Sequence, residues 1–169
     1  ISREHTVMVS RSGMVTVTGG KWTTYRAMAE DVLDACADKG LLEDRAKGVT
    51  TNLKLVGADL PAAQIQSICR PPGLHSYGDE QAMVQSMPGA DRLLCEGLTE
   101  GMVRFAARFE YAIKVEDVLA RRSRLLFLDA RLARSLAVQV GEILQQETGL
   151  DPEASAFEAL AQHYLQLPS

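Results

Sequence analysis

Thr18-Gly19-Gly20-Lys21-Trp22-Thr23-Thr24-Tyr25-Arg26 joins a β-rich run to a helical one, and its reading decides how the chain is built. Upstream, Thr6-Val7-Met8-Val9 and Met14-Val15-Thr16-Val17-Thr18 flank Ser10-Arg11-Ser12-Gly13. That pattern predicts a hairpin, with Gly13 free to take positive φ in the turn. Downstream, Tyr25, Met28, Ala29, Val32, Leu33 and Cys36 recur at helical spacing. Thr23 or Thr24 stands where a helix cap is needed, and Gly40 supplies a stop. A helix start leaves backbone N–H groups without intrahelical partners and a partial positive charge, to which Lys21 adds a full one. Two glycines before it allow close backbone approach. The segment is therefore a seat for an electron-rich or anionic group, although a plain strand-to-helix connection would read the same way. It is not a Walker A loop: Gly13 is spaced wrongly and Trp22 follows the lysine. Nor is it a dinucleotide fingerprint, because the G-x-G-x-x-G spacing is absent.

The rest of the chain reads as helical packing. Residues 48–78 are loops punctuated by Gly57, Pro61, Pro71, Pro72, Gly73 and Gly78, with one short helix expected near 61–69. A short helix over 79–86 would take Asp79 as its cap. From Thr99 onward, Met102, Phe105, Ala106, Phe109 and Ile113 form an apolar stripe. A further short helix is expected over 116–122, where Asp117 and Arg121 form an i, i+4 surface pair. A long helix over about 129–147 places Leu132, Leu136, Val140, Ile143 and Leu144 on one side, and Gly149 ends it. The last helix opens with Asp151 as cap and Pro152 in its first turn. It turns Ala154, Phe157, Leu160, Ala161, Tyr164 and Leu165 to the core. Such helices are not stable singly and must pack as a bundle.

The 169 residues are 46% hydrophobic and 24% charged, with a net charge of -4, an ordinary globular mixture. An acidic balance without a basic stripe argues against nucleic acid as a partner. Arg121-Arg122-Ser123-Arg124 is the one dense basic run, and acidic residues flank it. Cys36, Cys69 and Cys95 are too far apart for a zinc site and read as reduced thiols of a cytosolic protein. His75 and His163 have no second ligand at metal spacing, so no metal site is expected. The longest apolar run, Leu125-Leu126-Phe127-Leu128, is far short of a membrane span. The chain starts at Ile1 with residues that read as mid-domain strand, and it is expected to be a piece of a longer protein.

Two blocks carry a family resemblance. Ser2-Arg3-Glu4-His5-Thr6, the hairpin, the Gly19-Gly20-Lys21 block and Met28-Ala29-Glu30-Asp31 resemble the FAD-dependent glycerol-3-phosphate dehydrogenases and the related glycerophosphate oxidases. Glu110-Tyr111-Ala112, the run from Val115 to Ser123 and Leu128-Asp129-Ala130 resemble the C-terminal helical domain of that family. The likeness spans most of the chain and is loose from 48 to 100.

The resemblance implies a mainly α chain: a β-hairpin and helix over 1–47 that close an FAD-binding domain, then a helical C-terminal domain over 48–169. It implies that Gly19, Gly20, Lys21 and Thr23 bind the flavin and that Arg3 receives the substrate phosphate, where a guanidinium fork suits the anion. No catalytic residue is assigned. Trp22 stands where the family usually carries an aliphatic residue. The implied activity of the whole protein is oxidation of sn-glycerol 3-phosphate to dihydroxyacetone phosphate, with electrons passing through FAD to quinone. The implied location is cytoplasmic, peripheral on the inner membrane, with a homodimer within reach. Two other readings stand beside it: a helical module for self-association or membrane docking, and a related FAD-dependent amine or amino-acid oxidase. The piece alone is expected to bind FAD poorly.

Overall fold

The computed structural model describes residues 4–43, 48–67 and 69–166. They divide into two compact units, one within Ile1–Lys54 and one within Leu55–Ser169.

In the first unit, strand β1 (His5–Val9) pairs antiparallel with β2 (Val15–Gly19), in a register that sets Val7 against Val17 and His5 against Gly19. The turn closes as expected: Ser10 N–H donates to Met14 O at 2.9 Å, and Gly13 takes φ +83°. A 3-10 turn over Trp22–Thr24 leads into α1 (Tyr25–Asp38). Neither threonine caps this helix through its side chain. The Thr24 hydroxyl instead donates to Lys21 O at 3.0 Å, tightening the preceding turn. Of the predicted apolar face only Cys36 is buried, while Tyr25 and Leu33 stay exposed.

The second unit holds the core. Residues 55–67 and 69–73 are loop, and of the helix expected near 61–69, whose residue 68 lies outside the described residues, one 3-10 turn forms at Ala62–Gln64. Pro61 and the absence of a long apolar stripe leave nothing to extend it. Over 79–86 the chain runs through a 3-10 stretch, Leu74–Glu80, broken at Gly78, into the five-residue α2 (Gln81–Gln85). Asp79 lies inside that stretch and caps nothing. A second hairpin, β3 (Leu93–Cys95) with β4 (Leu98–Thr99), occupies ground read as helical. Strands this short carry too little period-2 signal to be recognised.

Helix α3 (Glu100–Phe109) starts at Thr99, whose Oγ1 accepts the Met102 N–H at 3.3 Å. The expected helix over 116–122 is one π turn, Asp117–Arg122, closed by Ser123 N–H to Val118 O at 2.9 Å. It leads into the single-turn α4 (Leu125–Leu128). Asp129 then caps α5 (Ala130–Thr148), accepting Leu132 N–H at 3.0 Å, and Gly149 ends it at φ +70°. Asp151 does not cap α6 (Ala154–Tyr164). Its Oδ1 accepts Glu153 N–H at 2.9 Å, a local turn that delays the helix start past Pro152.

α6 packs along α5, and α5 against α3. Val103, Phe105, Val115, Val118, Leu119, Ala133, Ala137, Val140, Leu144 and Ala161 are sealed between them. The predicted stripes hold at their centres and fail at their ends: Phe109, Ile113, Leu132, Tyr164 and Leu165 are exposed.

Candidate functional site

The hairpin-to-helix junction brings Gly19, Gly20, Lys21 and Thr23 together at one surface of the first unit. Gly19 and Gly20 take φ +80° and +82°, a left-handed pair that turns the strand toward α1. Their missing side chains have a packing cause. A Cβ on Gly19 would sit 2.6 Å from Glu4 O, and one on Gly20 would sit 2.5 Å from Met28 Sδ. The glycines thus let the turn close onto β1 and α1, and what they present outward is backbone. Next to them, His5 Nε2 pairs with Asp31 Oδ2 at 2.8 Å, fastening β1 to α1.

Beyond the glycines, the N–H groups of Lys21, Trp22 and Thr23 make no hydrogen bond among the described residues, and all three residues are exposed. Lys21 is in extended conformation and has no acidic partner among those residues. Trp22, 87% exposed, stacks on Tyr25 with ring centroids 5.8 Å apart. The result is a run of free donors with a cation ahead of a 14-residue helix, an arrangement that favours an anionic or electron-rich group. Arg3 lies outside the described residues.

In the second unit the charged groups are structural. Glu100 is buried between Arg92 and Arg104, and Arg104 also reaches Glu147. The Arg108 guanidinium, then that of Arg104, holds the Glu147 carboxyl below the usual carboxylate range against the opposing effect of burial. Burial pushes Asp117 up, but the N–H groups of Lys114 and Ile113 and the Arg121 guanidinium outweigh it and hold this carboxyl low. The expected Asp117–Arg121 pair is present at 2.6 Å. The Glu100–Arg104 spacing of four residues was readable in the sequence. Glu147, 43 residues from Arg104, gave no local signal.

A family model for the C-terminal domain of alpha-glycerophosphate oxidase matches residues 48–155. The chain belongs to this family. It is 34% identical to the mitochondrial glycerol-3-phosphate dehydrogenase of Arabidopsis thaliana, over 87% of this chain and 28% of that protein. It is 35% identical to the probable mitochondrial glycerol-3-phosphate dehydrogenase of Dictyostelium discoideum, over 76% of this chain and 23% of the relative. Glycerol-3-phosphate dehydrogenase 2 of Mycobacterium tuberculosis is 34% identical over 88% of this chain and 28% of its own length. This member of the glycerophosphate oxidase family thus spans about a quarter of the length of these relatives. No solved structure matches it. Among the described residues the fold is mainly helical with two small antiparallel hairpins, consistent with a mainly α domain over the matched stretch.

Proposed function

We propose that this chain is the C-terminal part of an FAD-dependent glycerol-3-phosphate dehydrogenase. Residues 1–47 close the FAD-binding domain and residues 48–169 form the helical C-terminal domain. The observation that carries the reading is the row of N–H groups at Lys21, Trp22 and Thr23 that make no hydrogen bond among the described residues, beside a Lys21 ammonium with no acidic partner among them. The names of the relatives favour glycerol 3-phosphate over an amine or amino acid as substrate.

The residues present fit a flavin edge. Bound FAD supplies the two-electron acceptor for oxidation of the secondary alcohol of sn-glycerol 3-phosphate to dihydroxyacetone phosphate, with a membrane quinone as the onward acceptor. The chain's own share is electrostatic. With FAD bound, these donors and the Lys21 ammonium would face its pyrimidine edge, where negative charge grows on reduction, and would stabilise it without reorganising. The left-handed Gly19–Gly20 turn orients those donors, Thr23 lies among them, and Arg3 receives the substrate phosphate.

The test is made on the full-length protein. Lys21→Ala should slow reduction of the flavin by glycerol 3-phosphate about tenfold, less than the loss from removing a buried oxyanion donor because Lys21 is exposed. A full-length protein that holds no flavin, or a Lys21→Ala rate equal to the parent, would overturn the reading.

A second reading, a self-association or membrane-docking role for the helical domain, is favoured by one surface. The Phe127 and Tyr164 rings meet edge to face at 5.6 Å, yet both remain half exposed, and Leu128 beside them is 73% exposed. No helix among the described residues is long and apolar enough to cross a membrane. Liposome sedimentation and light scattering test it: a monomer that ignores liposomes removes this role.

A further inference from the structure

Tyr111 follows the C-cap of α3, Glu110, in left-handed conformation at φ +58°. Helices commonly give that place to glycine, because a Cβ there crowds the following carbonyl. The turn is not free to relax. Ala112 N–H donates back to Ala106 O at 3.0 Å, and Ala112 is fully buried. The Arg122 guanidinium donates to Glu110 Oε2 at 2.8 Å and to Glu110 O. Asp117 Oδ2 accepts the N–H groups of Ile113 and Lys114, each at 2.9 Å. The chain on both sides of Tyr111 is thus pinned, and Tyr111 itself is 90% exposed. It makes no hydrogen bond and no ring contact among the described residues. Backbone strain held with no return inside the fold points to a use outside it.

The surroundings are apolar and electrically neutral. Phe109 and Ile113, two residues to either side, are also exposed. Every charged side chain from Arg108 to Asp117 has an opposite partner: Arg108 with Glu147, Glu110 with Arg122, Lys114 with Glu153, and Glu116 and Asp117 with Arg121. Tyrosine and phenylalanine are enriched where protein interfaces are anchored. A two-fold pair sets a surface against itself, so its charges must not repel their own image. The Tyr111 surface meets that condition. The Phe127–Leu128 surface does not. Arg124 and Arg131, three residues before and three after it, have no acidic partner among the described residues, and a two-fold axis there would gather like charges.

We propose that Tyr111, with Phe109 and Ile113 beside it, anchors an interface with a second copy of this chain. The two rings leave water against each other's surface, and the paired charges form a neutral rim. Three large side chains make the centre of a small interface, so the dimer is reversible rather than obligate. The proposal rests on the self-association reading, to which it gives a surface, and not on the flavin.

Sedimentation velocity of the full-length protein across the micromolar range tests it. The parent should pass from monomer to dimer as concentration rises. Tyr111→Gly removes the ring and the strain together. It should weaken the dimer about a hundredfold, since about tenfold is lost at each of two equivalent anchors. Leu128→Ser, on the other surface, should leave the dimer constant as in the parent. In the monomer, the Ala112 amide should be protected from hydrogen exchange at least as well in Tyr111→Gly as in the parent, because glycine fits the left-handed turn. A parent that stays monomeric overturns both this proposal and self-association. A dimer that persists in Tyr111→Gly, or that is lost in Leu128→Ser, overturns this proposal alone. Weaker protection in monomeric Tyr111→Gly would show the ring packed within its own chain, which also overturns it.

Discussion

Arg104 crosses from α3 to meet Glu147 of α5 at 2.5 Å, with the two side chains 14% and 8% exposed. The same guanidinium holds Glu100, so one arginine ties two carboxylates from different helices. Removing it leaves each with one remaining partner, Arg92 or Arg108, both more exposed. Arg104→Met is expected to cost about 2 kcal/mol, the scale of charged hydrogen bonds. In a chain of this size that lowers the melting temperature by about 4–8 °C. An unchanged melting curve would show the network to be ornamental.

The same carboxylates set the acid limit. Glu147 and Asp117 are both held below their usual range. A depressed carboxyl contributes stability that is complete above its unfolded value and lost as pH falls through the folded one. Urea midpoints should therefore be level above about pH 5 and fall below about pH 4, where unfolded carboxylates take up protons. Glu147→Gln should flatten that fall at the expense of stability near neutrality. A variant with an acid limb as steep as the parent's would refute the assignment.

Tyr77 acts at the opposite end of the scale. Its folded value, about 12, lies above the unfolded phenol. The stabilisation is whole below about pH 10 and lost as pH rises toward 12. Tyr77→Phe should lessen the alkaline loss of stability, read from denaturant midpoints between those pH values.

Gly20 and Gly40 separate two costs of a side chain. Both have positive φ, but a Cβ at Gly40 would meet nothing within 4 Å, whereas one at Gly20 would strike Met28. Gly40→Ala should cost about 1 kcal/mol of backbone strain and Gly20→Ala at least about 2 kcal/mol. Hydrogen exchange of the α1 amides resolves the two. Equal acceleration would mean that the turn does not pack on Met28.

FAD added to the 169-residue chain should keep its free fluorescence up to high micromolar protein. One edge of a site does not offset the freedom lost by a whole cofactor. A tight complex would show that far more of the cradle lies within this chain than the junction at 19–23.

Local chemistry explains what was legible beforehand. The hairpin, α1, α5 and the stop at Gly149 came from patterns that act over a few residues: alternation, a 3.6-residue period and a glycine where the chain must turn left-handed. The Gly19-Gly20-Lys21 junction was legible for the same reason, as was the pairing of Asp117 with Arg121. Asp151 and Thr24 show the limit. Each is a residue that can cap a helix, but a competing local bond, to Glu153 N–H in one case and Lys21 O in the other, took the side chain first.

The amino-acid order alone thus decided where the hairpin, α1, α3 and α5 run, that helices make up most of the chain, and that a strand-to-helix junction falls around residues 19–23. Only the tertiary structure decided that Met28 and Glu4 demand the two glycines, that Arg104 finds Glu147, and that the Tyr77 ring stands edge-on to Phe105. Those facts join groups far apart in the chain or on different elements. Their meeting depends on how packed surfaces exclude water, which no pattern of neighbouring residues encodes.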